Sequence, residues 1–151
     1  MKVERFEDLV IWQQARKLSK EVYEITKMGD FRYDSRFVQQ IRAAVGSVMD
    51  NIAEGFERDG NKEFVQFLYI AKGSCGEVRS QLYRAFDAQF INEETFARML
   101  NESLSLNKGI LNFIKSLKSS AVKGTKFQKT NPLKPSETSE ATETPKDPPT
   151  S

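Results

Sequence analysis

Apolar residues recur along this chain at steps of three and four, the period of a helix that buries one face. In the first such segment, Asp8 to Met28, the recurring positions are Leu9, Trp12, Ala15, Leu18, Val22 and Ile25. Glu7 and Asp8 suit the positive N-terminal end of a helix, and Gly29 is placed to end it, because glycine takes the left-handed conformation cheaply. Asp30 to Asp34 is then a turn. The second segment starts near Asp34 or Ser35, either of which can cap it, and runs to about Phe56 or Glu57. Its stripe of Val38, Ile41, Val45, Val48, Ile52 and Gly55 alternates steps of three and four, the heptad spacing of helices packed nearly parallel or antiparallel. The polar break Arg58-Asp59-Gly60-Asn61 is short, which implies an antiparallel hairpin with the next helix.

The third segment, Lys62 to Ala88, carries Phe64, Phe67, Leu68, Ala71, Cys75, Val78, Leu82 and Phe86. Gly73 and Gly76 sit in its middle at a cost of roughly 1 kcal/mol each relative to alanine, so we expect another backbone close to them. Asn92 is a good cap for a fourth helix, with Glu93 and Glu94 in its first turn and a stripe of Phe96, Leu100, Leu104, Leu111, Ile114 and Leu117. From Ser119 onward Ser, Thr, Pro, Lys and Glu dominate, and all five prolines of the chain fall here. The expectation is an all-α protein: an antiparallel up-down-up-down four-helix bundle over residues 1–118, followed by a disordered tail over 119–151.

Composition removes most enzyme classes. The chain has no histidine, which excludes Ser-His and Cys-His nucleophile pairs, His-ligated zinc and Glu-x-x-His di-iron sites. Its one cysteine, Cys75, lies within an apolar stripe and reads as a small buried residue. Glu54, Glu63 and Glu77 are the acids nearest the stripes, but their spacing defines no paired-carboxylate cleft. No phosphate-cradling glycine loop is present. We therefore expect no catalytic residue, no cofactor and no metal. The N-terminal residues carry no apolar run that could act as a secretion signal, and no segment reads as membrane-spanning, so a soluble, cytoplasmic protein is expected. The net charge of +2 announces no nucleic-acid binding by itself, so any basic surface must come from arrangement.

Two faces outside the core stripes are unusual. Ser47, Asn51, Glu54 and Arg58 line a polar stripe beside the second helix's core, either a solvated face or a second packing surface. On the third helix Tyr69, Lys72, Gly76, Arg79 and Tyr83 share a face, with Gly73, Gly76 and Ser80 as an adjoining small-residue ridge. That face reads as ordinary solvated charge, as a contact with a neighbouring subunit, or as a nucleic-acid surface with cations on phosphates and tyrosines on bases.

Several short elements also carry a family resemblance: the run from Phe6 through Trp12 to Ala15, Gln40-Ile-Arg-Ala-Ala44, Asn51-Ile-Ala-Glu-Gly-Phe56, Lys62-Glu-Phe64, Gly73-Ser74 with Glu77, and Gln81-Leu82. Over residues 5 to 118 the chain resembles the bacterial four-helix-bundle family encoded in intervening sequences of large-subunit ribosomal RNA genes. More distantly it is similar to the accessory variability proteins of diversity-generating retroelements. The first resemblance implies a homopentamer without enzymatic activity, and the second, more distant one implies contact with RNA or DNA and with a reverse transcriptase or other protein. This chain has Arg42-Ala43 where relatives commonly have paired arginines, and Met49 where they often have proline. Combining both readings, the candidate nucleic-acid contacts are Arg42, Arg58, Lys62, Lys72, Arg79 and Arg84. The candidate helix or subunit contacts are Asn51, Glu54, Gly55, Gly73, Gly76 and Glu77. The competing expectation is a protein-interaction scaffold that binds no nucleic acid directly.

Overall fold

A computed structural model of the chain describes residues 2–122, with side chains described to Ser120. A short 3-10 turn, Phe6–Asp8, leads into α1 (Val10–Ile25); a second, Gly29–Tyr33, leads into α2 (Ser35–Glu57), and α3 (Asn61–Asp87) and α4 (Glu93–Val122) follow. The expected tail lies outside the described residues except at its start, where α4 continues to Val122, beyond the expected boundary at 118.

Two helix starts are made by the residues that the sequence offers for them. The Asp34 carboxylate accepts the Phe37 N–H at 3.2 Å at the head of α2, and the Asn92 side chain accepts the Thr95 N–H at 2.8 Å at the head of α4. Pairings between helices fix direction. Phe56 packs on Phe64, the Ser47 hydroxyl meets that of Ser74 at 2.8 Å, and Arg84 lies over Phe37, so positions descend along α2 as they ascend along α3. The pairs Phe64 with Phe113, Cys75 with Ser103 and Tyr83 with Phe96 do the same for α3 and α4. Lys17 with Glu102 and Glu21 with Arg98 do it for α1 and α4. Neighbouring helices therefore run antiparallel around one core. Aromatic clusters close both ends: Phe31, Phe37 and Phe90 at one, Phe56, Phe64 and Phe113 at the other.

Three local expectations are corrected. First, α1 stops at Ile25, three residues before Met28, and Gly29 is not its terminator. Buried Thr26 caps it, donating its hydroxyl to the Val22 carbonyl at 2.8 Å, while Gly29 opens the next turn at φ +53°. The turn is not merely polar. Phe31 within it is wholly buried and stacks on Phe90 at 4.8 Å. Second, α1 buries Ile11 where Trp12 was expected, and Trp12 packs at the margin against Phe6. Third, the stripe of α4 is displaced. Met99, Ser103, Leu106, Ile110, Phe113, Ile114 and Leu117 are buried, whereas Leu104 is 45% exposed and Leu100 and Leu111 are half-buried. Ser103 hides the true stripe because it is polar. Its hydroxyl is satisfied inside the helix by the Leu100 carbonyl at 2.8 Å, so it enters the core without an orphaned donor.

Candidate nucleic-acid interface

The helix order leaves three grooves on which the candidate residues fall. In the groove between α1 and α2, Arg42 donates to the Thr26 hydroxyl at 2.9 Å and lies over the Tyr23 ring at 4.4 Å. Its charge is held by its own chain.

The groove between α2 and α3 carries the Asn51-to-Phe56 element. Gly55 is buried, and a Cβ there would stand 2.8 Å from both the Phe64 ring and the Phe67 Cβ, so glycine is what lets α2 and α3 approach near their connecting turn. Asn51 donates to the Ser47 carbonyl at 2.8 Å and to its hydroxyl at 3.0 Å, and Ser47 in turn reaches Ser74 on α3. Asn51 thus orients a bridge between helices. Glu54 reaches no other helix. It pairs with Arg58 at 3.0 Å on the surface, both about half exposed, an arrangement worth a few tenths of a kcal/mol. Arg58 also covers Phe67, and Arg84 covers Phe37 towards the other end of the same groove, so both are engaged within the chain. Between these ends lies an open cleft of about 420 Å³, lined by Gln40, Ala43, Ala44, Ser47, Ser74, Glu77, Ser80, Gln81 and Arg84. Glu77 accepts the Gln81 amide at 3.3 Å.

The expectation of a backbone packed on Gly73 and Gly76 is not met among the described residues. A Cβ at either would meet nothing within 4 Å, and the same holds at Gly46. These small residues face open space.

Along α3 on its α4 side lie Tyr69, Lys72, Arg79 and Tyr83. The two tyrosines are 45% and 50% exposed; Lys118 of α4 donates to the Tyr69 hydroxyl at 3.0 Å, and Tyr83 packs edge-on to Phe96. Lys62, Lys72 and Arg79 make no hydrogen bond or ion pair among the described residues. The structure therefore does not gather the six candidate cations into one patch: Arg42, Arg58 and Arg84 are held by contacts within the chain, whereas Lys62, exposed, and Lys72 and Arg79, half-buried along α3, make no hydrogen bond or ion pair among the described residues. Sequence reading missed a further feature, the exposed Tyr33 covered by the Arg32 guanidinium at 4.4 Å. Adjacent residues in a turn have no helical spacing by which to be noticed.

Cys75 is buried and donates to the Ser103 carbonyl at 3.3 Å, and burial pushes its thiol up to about 11. The thiolate is the nucleophile, so we expect alkylating reagents at neutral pH to modify Cys75 only after denaturation, as mass spectrometry would record. Rapid modification of the folded protein would show a more open core. Among the described residues, no three His, Cys, Asp or Glu side chains gather as metal ligands, and no helix is long and apolar enough to cross a membrane.

A family model described as 23S rRNA-intervening sequence protein matches residues 7–112. A crystal structure of a protein of unknown function from the S23 ribosomal protein family of Bacteroides thetaiotaomicron is similar at a TM-score of 0.64 and 20% identity, covering 70% of this chain and 99% of that one. At that identity the likeness bears on the fold alone. No curated protein matches the chain.

Proposed function

The chain belongs to the 23S rRNA-intervening sequence protein family, and from that premise we propose that it is a non-enzymatic, self-associating helical bundle that binds nucleic acid, structured RNA foremost, in the cytoplasm. The observation that carries this reading is the run of cations beside half-exposed tyrosines on α3. Among the described residues Lys72 and Arg79 have no acid to neutralise them, and Tyr69 and Tyr83 offer faces and edges to bases. A pentamer is the favoured assembly. Repeating a modest patch around a ring raises avidity without raising the charge of each copy.

Retention of a structured RNA should fall steeply with salt. Neutralising Lys72 and Arg79 to glutamine should weaken binding across sequences, and the slope of log affinity against log salt should shrink by about one for each phosphate that a removed cation had neutralised. Unchanged retention in the double variant would remove the nucleic-acid reading, and a monomeric mass in light scattering would remove the avidity argument.

A second reading is favoured by the α2–α3 cleft and the open space over Gly46, Gly73 and Gly76. It takes the bundle as a scaffold whose small-residue groove receives a partner helix, from a reverse transcriptase or another protein, without direct contact to nucleic acid. Co-purification with a protein in nuclease-treated samples separates the two.

A further inference from the structure

On the seam between α1 and α4, away from the surfaces above, two carboxylates are folded against each other. The side chains of Glu21 on α1 and Glu102 on α4 are only 14% and 22% exposed. Each keeps one oxygen, Oε1, out of water and without a hydrogen-bond donor. A buried acceptor left unpaired is costly, and two of them on facing helices require an explanation. The neighbouring cations do not provide it. Lys17 reaches Oε2 of Glu102 at 3.2 Å and Oε2 of Glu21 at 4.0 Å, and Arg98 stands 3.8 Å from Oε1 of Glu21, beyond hydrogen-bond range. Both cations are more than half exposed, so water screens them. The charged groups acting on Glu21 are Glu102 and Arg98 from α4 and Lys17 from its own helix, with none from α2 or α3. What the two orphaned oxygens lack is a single proton.

We propose that Glu21 and Glu102 share one proton, forming a latch that ties α1 to α4 in its acid form and slackens when the proton leaves to solvent. Once both carboxylates are ionised they repel across a seam that water barely enters, and α1 is the element that gains freedom. Burial first, and then the hydrogen bond that the protonated Glu21 carboxyl donates to Glu102, push the Glu21 carboxyl up to about 7, which places the change near neutrality. The folded state holds this proton more tightly than an unfolded glutamate, so the stabilisation is complete below the ordinary value of 4.5 and is lost as pH rises through about 7.

The test follows thermal melting and amide hydrogen exchange of α1 from about pH 5 to about pH 8 in the wild type, Glu21→Gln and Glu102→Gln. In the wild type, the protection factors of α1 amides, which divide out the base catalysis of intrinsic exchange, should fall several-fold and the melting temperature fall by several degrees across that range. Either glutamine keeps an N–H donor between the helices at every pH, so each variant should lose most of the change and melt higher than wild type at the alkaline end. If all three proteins share one pH profile, the latch does not exist. Carbon-detected NMR of the wild type decides independently, even if one variant fails to fold: a Glu21 carboxyl titrating as an ordinary exposed glutamate overturns the proposal.

Discussion

Replacing Phe64 with alanine should lower the unfolding free energy by about 3–5 kcal/mol, the range for removing a fully buried aromatic ring. The side chain is wholly buried and sits edge-on to Phe56 of α2 at 6.0 Å and to Phe113 of α4 at 5.3 Å. It therefore joins three helices at one end of the bundle. Truncation forfeits the transfer energy of the ring and its edge-on packing, and leaves a cavity that the neighbouring rings cannot easily fill. Against a total stability of roughly 5–15 kcal/mol this is a large share, and the shift of the urea midpoint would measure it. A loss below about 1 kcal/mol would mean that this end of the core is not packed as described.

Gly55→Ala should cost about 1–3 kcal/mol, although alanine is the better helix former. The propensity gain is roughly 1 kcal/mol in a helix interior with free space. At Gly55 the new methyl group would lie 2.8 Å from the Cβ of Phe67, an atom fixed to the α3 backbone, and 2.8 Å from the Phe64 ring. A ring edge can turn aside, but a Cβ cannot, so the two helices must separate and the clash outweighs the propensity. Gly73→Ala is the matched control, since its Cβ meets nothing within 4 Å. There alanine should stabilise the subunit by up to about 1 kcal/mol. If both substitutions raised the melting temperature, the close approach at Gly55 would be refuted. If Gly73→Ala reduced the oligomeric mass, the open face of α3 would be the subunit contact.

The Asn51-to-Phe56 element shows how far local reading reaches. Gly55 beside Phe56 reads as close packing because a glycine inside an otherwise regular stripe has no other use, and the structure places it against Phe64 and Phe67. Asn51 and Glu54 share one polar stripe in sequence, Asn51 flanking the core positions and Glu54 falling outside them, and both read as helix contacts. Only the fold separates them: Asn51 steadies the Ser47–Ser74 bridge, whereas Glu54 turns to Arg58 and to water. The same limit applies to the cations. Spacing puts Arg42, Arg58 and Arg84 on helix surfaces, but whether an aromatic ring from another helix lies beneath each guanidinium is a tertiary fact. The Glu21–Glu102 pair left no trace in the sequence, since 81 positions separate two ordinary glutamates that meet only when α1 folds onto α4.

Local pattern was enough to specify the helices, their number and order, and the cap at Asn92, and to narrow the α2 cap to Asp34 or Ser35, because apolar period and capping chemistry act within a few residues of one another. The absence of histidine chemistry needed no fold either, being a matter of composition. Packing had to settle which flank of α4 is buried, that Phe31 in the turn after α1 enters the core, which arginines are already occupied, and that two distant carboxylates meet. Each of these depends on what a neighbouring helix presents at the same height. A helix offers several near-equivalent faces, and its partners choose among them.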